Sequence, residues 1–206
     1  MFFYTENTHK NCTFNTADKI VEAALTLFSE KGFFSTSIHH IQKKSKVSIG
    51  SIYHHFGSKE AIAESLQQRI LTQMDEAFVD IIQQHDTFQK KYYHIVELLF
   101  KMTETEARTM KFMFHSKYSE YSKLNKSIYQ SAPFLTISQE ITNHCNSEII
   151  DQKKHSIDFT MAMLFSLPIQ TIQLRLDNVI GPINSEVDVI FNAIWNGLCK
   201  QEAQKS

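Results

Sequence analysis

VSIGSIYHHFGSKEAI, residues Val47 to Ile62, sets a glycine, small hydroxyls, a tyrosine and two adjacent histidines between two helix-start signals. A helix built only to pack would avoid Gly50 near its start and would not spend surface on His54 and His55. The segment reads as one that brings its backbone close to something polar. Ser48 is expected to cap a short helix with Ile52 and Phe56 on its buried side. Ser58 then caps a long helix in which Ile62, Leu66, Ile70, Met74, Phe78 and Ile81 keep helical spacing.

Working outward, Thr16 is placed to cap a helix over about residues 16 to 31. Ile20, Ala23, Ala24, Leu27 and Phe28 fall on one stripe of it, and Gly32 is a natural stop. Thr36 or Ser37 caps a second short helix carrying Ile38 and Ile41 inward. A tight connection through Ser45 and Lys46 leads into the helix of Ile52. Two short helices joined by a few residues form a helix-turn-helix. Lys46 occupies the turn, possible in a left-handed conformation that costs it about 1 kcal/mol more than glycine.

The chain has 206 residues, only five glycines and three prolines, and no convincing period-two alternation, so an all-α fold is expected. Further helices are expected near 87–103, 104–120, 133–147, 155–178 and 184–201, with Pro168 kinking the fourth of these. Domains are drawn as an N-terminal arm over 1–15, a helix-turn-helix domain over 16–65, and an all-helical domain over 66–206 joined to it by the long helix. Cys12, Cys145 and Cys199 are far apart and show no metal-ligand spacing, so they read as free thiols of a reducing cytoplasm. The start has no signal-peptide pattern and no run is expected to cross a membrane, which gives a cytoplasmic localisation.

Net charge is −1 over the chain, so any nucleic-acid signal must be local. It is local. From Thr36 to Lys59 there is no Asp or Glu, while Lys43, Lys44, Lys46 and Lys59 are present with His39, His40, His54 and His55. Such a window suits a phosphate backbone, because each neutralised phosphate releases condensed counterions. Residues Ser48 to His54 are those a recognition helix presents to base edges. Gly50 lets the backbone approach, Ser51 and Tyr53 offer hydroxyls to phosphates, and His54 reaches a base edge or a phosphate. Ile49 either meets a thymine methyl or packs on the neighbouring helix. Ser58 and Lys59 set a helix N-terminus and a cation where a phosphate could bind. The histidines also suggest tighter binding as pH falls towards 6.

The run from Thr16 to Ile62, with its AA-x-x-LF-x-x-KG and VS-x-GSIY-x-HF-x-SKE patterns, resembles the N-terminal domain of TetR/AcrR-family transcriptional regulators. The resemblance covers roughly residues 16 to 65. It implies a homodimeric, ligand-responsive regulator, most simply a repressor, that binds a palindromic double-stranded DNA operator. It also implies that Ser37, His39, Gly50, Ser51, Tyr53, His54 and Lys59 are DNA-contacting positions. The sequence departs from the family at Gln42, Ser45 and Lys46, and its N-terminal arm carries little charge.

The second half is rich in methionine and phenylalanine. Met102, Met110, Met113, Phe114, Tyr118 and Phe165 are the candidate lining of a pocket for a small apolar or aromatic effector, with plain core packing as the alternative. Phe159, Met163 and Leu167, and then Val187, Ile190, Phe191, Ile194, Trp195 and Leu198, form apolar stripes expected to meet a second copy. An intramolecular core is the alternative. No catalytic motif, cofactor motif or metal cluster stands out, since adjacent histidines on a helix point about 100° apart and cannot chelate one ion together. An enzyme is therefore not expected. The rival reading is a helical adaptor of the same fold that does not bind DNA.

Overall fold

The computed structural model describes residues 15–115, 131–144 and 156–198, and all regular structure among them is helical. In chain order the helices are α1 (Thr16–Lys31), α2 (Ile38–Ser45), α3 (Ile49–Phe56), α4 (Lys59–Gln84), α5 (Phe88–Thr105), α6 (Ala107–His115), α7 (Ala132–His144), α8 (Ile157–Leu176) and α9 (Val187–Leu198). A single 3-10 turn, Asn184–Glu186, precedes α9. The expected N-terminal arm, Tyr118 and all three cysteines lie outside the described residues.

The chain forms two compact units, one of Met1–Met74 with Thr105–Ser131 and one of Asp75–Glu104 with Ala132–Ser206. The boundary drawn at residue 65 thus falls inside α4, whose periodicity runs on without a break. Helix α6, assigned by sequence to the second domain, belongs with the first unit. Its Phe112 ring stacks on Phe28 of α1 at 5.9 Å.

In the first unit, Asn15 rather than Thr16 caps α1, its Oδ1 accepting the Asp18 N–H at 2.8 Å. Both residue types can cap, and only the chain's extended geometry at Asn15 decides between them. Gly32 ends α1 at φ 82°, where its N–H reaches the Phe28 carbonyl at 3.0 Å. Ile20, Ala24, Ile41, Ile52, Ile62 and Ala63 are fully buried and form the contact set that α1 to α4 share.

In the second unit, α5 buries Phe88, Tyr92, Ile95, Val96 and Leu99. Helix α9 returns to it: the Tyr92 and Phe191 rings lie 5.9 Å apart, and Phe191 stacks on Trp195 at 5.6 Å. Val187, Ile190, Phe191 and Ile194, expected at a dimer surface, are buried in this chain's own core. Periodicity reports that a face is covered, not which partner covers it. On α8, by contrast, Phe159, Met163 and Leu167 remain 51%, 39% and 43% exposed at four-residue steps.

Helix α8 is twenty residues long and apolar enough by length and composition to cross a membrane, a run the sequence reading did not expect. Its Leu164, Phe165, Pro168, Ile172 and Leu176 are buried at helical spacing and give it a core-facing side. Pro168 lies inside it, and the helix nevertheless continues to Leu176. Proline has no N–H for the carbonyl four residues back. That carbonyl, Leu164, instead accepts the Tyr92 hydroxyl at 2.6 Å. Burial pushes the Tyr92 phenol above its ordinary range, so it stays a donor across the working pH range.

The turn after α8 is held by one carboxylate. Glu104 accepts two bonds from the Arg175 guanidinium, at 2.9 and 3.1 Å, and one from the Ile183 N–H at 3.0 Å. Helices α5 and α7 are joined by an ion pair between Lys91 and Glu140 whose side chains are almost enclosed.

Two outcomes follow from these contacts. Tyr92→Phe leaves a buried carbonyl unpaired and should lower unfolding stability by about 1 to 3 kcal/mol. Adding Pro168→Ala restores a backbone N–H for that carbonyl, so the double variant should recover part of the loss in a urea-denaturation cycle. For Glu104, the Arg175 hydrogen bonds hold the carboxyl below its ordinary range. A depressed carboxyl contributes stability above its unfolded value, and that stability is lost as pH falls through the folded one. Glu104→Gln should therefore flatten the acid side of a melting-temperature profile below about pH 5.

Candidate nucleic-acid interface

The site is built by caps. Ser37 caps α2 reciprocally with His40: its Oγ accepts the His40 N–H at 3.2 Å, and His40 Nδ1 accepts the Ser37 N–H at 3.2 Å. This is a capping box with histidine in the position usually filled by glutamate. Helix α2 ends on Lys46, which is left-handed at φ 58°, ψ 25° as the turn required. Ser48 then caps α3 by accepting the Ser51 N–H at 3.1 Å. Gly57 closes α3 at φ 72°, and the Ser58 Oγ accepts the Ala61 N–H at 3.1 Å to start α4.

Ile41 and Ile52 are fully buried and set the depth of α2 and α3 against α1. What that leaves outward is the candidate surface. Ser37, His39, Lys43, Lys44, Lys46, Ser48, Gly50, Tyr53, His54 and His55 are exposed, and Ile49 and Ser51 are half-buried. Tyr53 is 50% exposed. The His54 and His55 rings meet edge to face at 5.7 Å. The hydroxyls of Ser37 and Ser48 are already committed to their caps, so their first service is to aim the two helix starts.

Two expected roles change. His40 Nδ1 is a cap acceptor, committed to the Ser37 N–H. Three histidines, His39, His54 and His55, remain free of such a duty among the described residues. Lys59 is half-buried and points inward: its ammonium donates to the Phe33 carbonyl and the Thr36 carbonyl, each at 2.9 Å, and lies 4.1 Å from the Phe33 ring centroid. These contacts use the charge that the sequence reading gave to a phosphate. The missed signal is tertiary, since nothing near Lys59 in the chain names carbonyls 26 and 23 residues back. Thr36 was likewise missed as a lock. It is buried, and its hydroxyl donates to the Gly32 carbonyl at 2.9 Å.

Of the six residues assigned to an effector pocket, the five that are described are divided between the two units. Met110, Met113 and Phe114 are on α6 of the first unit, and Met102 and Phe165 are buried in the second. No group of three or more metal-ligating side chains occurs among the described residues.

The profile described as "Bacterial regulatory proteins, tetR family" matches residues 20–66, the segment that carries α1, α2, α3 and the start of α4. Over these residues the chain matches the TetR family. Over 65 residues it is 42% identical to the HTH-type transcriptional regulator UidR of Escherichia coli (strain K12), covering 30% of this chain and 33% of UidR. Over 47 residues it is 47% identical to IcaR of Staphylococcus aureus (strain Newman), the negative transcriptional regulator of the biofilm operon icaADBC, covering 23% of this chain and 25% of IcaR. The matched stretch thus spans a third or less of these curated relatives.

Similarity of fold extends further. The fatty acid degradation regulator FadR of Bacillus halodurans superposes with a TM-score of 0.75 at 16% identity, covering 91% of this chain and 98% of that one. FadR of Bacillus subtilis, solved in complex with stearoyl-CoA, gives 0.72 at 19% identity, covering 87% and 97%. At such identities the likeness concerns the fold alone.

The inward Lys59 has a direct check. Lys59→Met keeps the aliphatic stem and removes the donor, so thermal unfolding should show a loss of about 1 to 3 kcal/mol from the two carbonyl bonds. An unchanged melting temperature would mean that the ammonium holds nothing in solution.

Proposed function

We propose that this TetR-family protein is a cytoplasmic, ligand-responsive transcriptional regulator, acting as a repressor. In this reading it binds a near-palindromic duplex operator as a homodimer and is released when a small apolar or aromatic molecule occupies the second unit. Nothing in the reading calls for an enzyme. IcaR, a negative regulator, and FadR, solved with stearoyl-CoA, support the repressor and effector parts by analogy alone. The exposed stripe of Phe159, Met163 and Leu167 on α8 supports the homodimer. Two copies would set their recognition helices about 34–36 Å apart, one turn of DNA.

Gly50 carries the DNA-binding part. Glycine weakens helices, by about 0.5–1 kcal/mol in their interiors. Gly32 and Gly57 need it because their φ is positive, whereas Gly50 has no such φ and open space where a Cβ would stand. The fold does not require this glycine. A duplex lying against the first turn of α3 does, because any side chain would hold the backbone away from it. Tyr53, His54 and the exposed lysines of an acid-free window surround the same turn.

Effector release is a two-state matter: the molecule shifts the equilibrium only by its differential affinity for the two arrangements. The adaptor reading differs in one respect, since it gives Gly50 and the acid-free window no work.

Fluorescence anisotropy with a labelled duplex separates the two. Gly50→Leu should fold as stably as the parent and bind duplex DNA at least about tenfold more weakly, the loss of one well-made contact set. Parent affinity should fall with salt at about −0.9 in log–log slope for each phosphate neutralised. Lys59→Met should weaken binding with that slope unchanged, because its ammonium serves the loop and not a phosphate. A flat salt response with unaltered binding by Gly50→Leu would favour the adaptor.

A further inference from the structure

A second basic surface lies in the first unit, formed by α1, α2 and α6. Lys19, Glu22, Ala23 and Thr26 of α1, Lys44 and Ser45 at the end of α2, and Arg108 of α6 enclose an open groove of about 390 Å³. Three cations therefore face one carboxylate in a chain whose net charge is −1. The volume falls within the range of about 300–1,000 Å³ typical of small-molecule clefts.

Among the described residues these charges are only partly matched. Arg108 donates from one terminal nitrogen to the Thr26 hydroxyl at 3.1 Å, and that nitrogen lies 3.7 Å from Glu22. The Nε and the second terminal nitrogen make no bond to the described residues, and the side chain is 60% exposed. Lys19 and Lys44 have no ion-pair partner among the described residues. Asp18, the neighbouring carboxylate on α1, is drawn away by Arg69 at 2.8 Å. The Thr26 and Ser45 hydroxyls donate to the carbonyls of Glu22 and Gln42, so the free donors of the groove are cationic.

We infer that this groove binds a small polyanion, one whose acidic groups are spaced to meet Arg108 and the two lysines together. A planar guanidinium edge beside two ammonium groups matches phosphate or carboxylate oxygens. The groove shares Lys44 with the candidate recognition surface, while Lys19 and Arg108 lie on α1 and α6 outside it. It does not depend on the regulator reading, because binding can be measured without DNA.

The experiment is isothermal titration of the full-length chain with pyrophosphate and, in a second arm, citrate, with ionic strength held constant by sodium chloride. The expected result is saturable binding of one anion per chain at a half-saturation on the order of 1 mM or below. Whichever probe binds more tightly assigns the groove to phosphate or to carboxylate chemistry. Lys44→Gln, an exposed position whose change leaves the fold intact, should weaken binding at least about tenfold. Arg108→Lys should weaken it too while keeping the charge, and Lys90→Gln, an exposed lysine of the other unit, should leave it unchanged. Absence of saturation with both probes overturns the proposal. So does equal weakening by Lys44→Gln and Lys90→Gln, or an effect of Lys44→Gln confined to the salt slope of duplex binding.

Discussion

A single ammonium group sets the geometry on which the recognition surface rests. Lys59 begins α4, yet its charge is delivered to the carbonyls of Phe33 and Thr36, in the loop between α1 and α2. The buried Thr36 holds the same loop from the other side, its hydroxyl donating to the Gly32 carbonyl at 2.9 Å. Gly32 breaks α1, Phe34 stands in solvent, and four residues later α2 must already have started at a defined angle. With the loop carbonyls held, Ser37 falls where its side chain can cap α2, and α2 in turn delivers the left-handed Lys46 and the start of α3. A charge-assisted bond is roughly twice as strong as a neutral one, and here two of them act on one short segment. The aromatic face of Phe33 under the ammonium adds to the same restraint.

The recognition surface is thus made largely of residues that are poor choices for stability. Of the described glycines discussed above, two are required by backbone conformation and Gly50 is not. Paired histidines crowd the last turn of α3, and a non-glycine residue takes a left-handed turn at Lys46. Stable helices would replace all of these. The compensation lies behind them, where Ile41 and Ile52 are fully buried and the starts of α1 to α4 are each side-chain capped. Local rules are broken outward and obeyed inward, which is the pattern expected where a surface has been shaped for contact.

Much of this was legible without coordinates, because caps, stops and stripes are local. Ser37, Ser48 and Ser58 are the starts of α2, α3 and α4 as their positions before apolar runs implied, and Gly32 is the stop of α1. What local sequence does not encode is direction over a distance. Lys59 reads as a free cation at a helix start until its loop partners are seen. The α9 stripe of Ile190, Phe191 and Ile194 reads equally as a core or a partner face, and it is a core. Helix α6 carries no mark saying that Phe112 belongs on Phe28. The candidate effector residues suffer most, since an apolar side chain in a helix announces burial and nothing about what it is buried against.

Charge segregation joins these observations. A chain of net charge −1 presents an acid-free stretch from Thr36 to Lys59, and several of its acids elsewhere are partnered. Asp18 is matched by Arg69, Glu22 lies beside Arg108, and Glu104 is clasped by Arg175. The exposed pairs at Asp18 and Glu22 contribute little to stability, about 0–1 kcal/mol each, whereas the Glu104 pair is more enclosed. Their larger effect is electrostatic: Asp18 and Glu22 on α1 are offset by cations, while the window from Thr36 to Lys59 carries no acid at all. Arg108 sits at the edge of that arrangement. Its pairing removes Glu22 as a repulsive charge beside α2, while most of the guanidinium stays in solvent. The same residue therefore ties α6 to α1 and leaves cationic surface facing Lys44, in the groove that α1, α2 and α6 line.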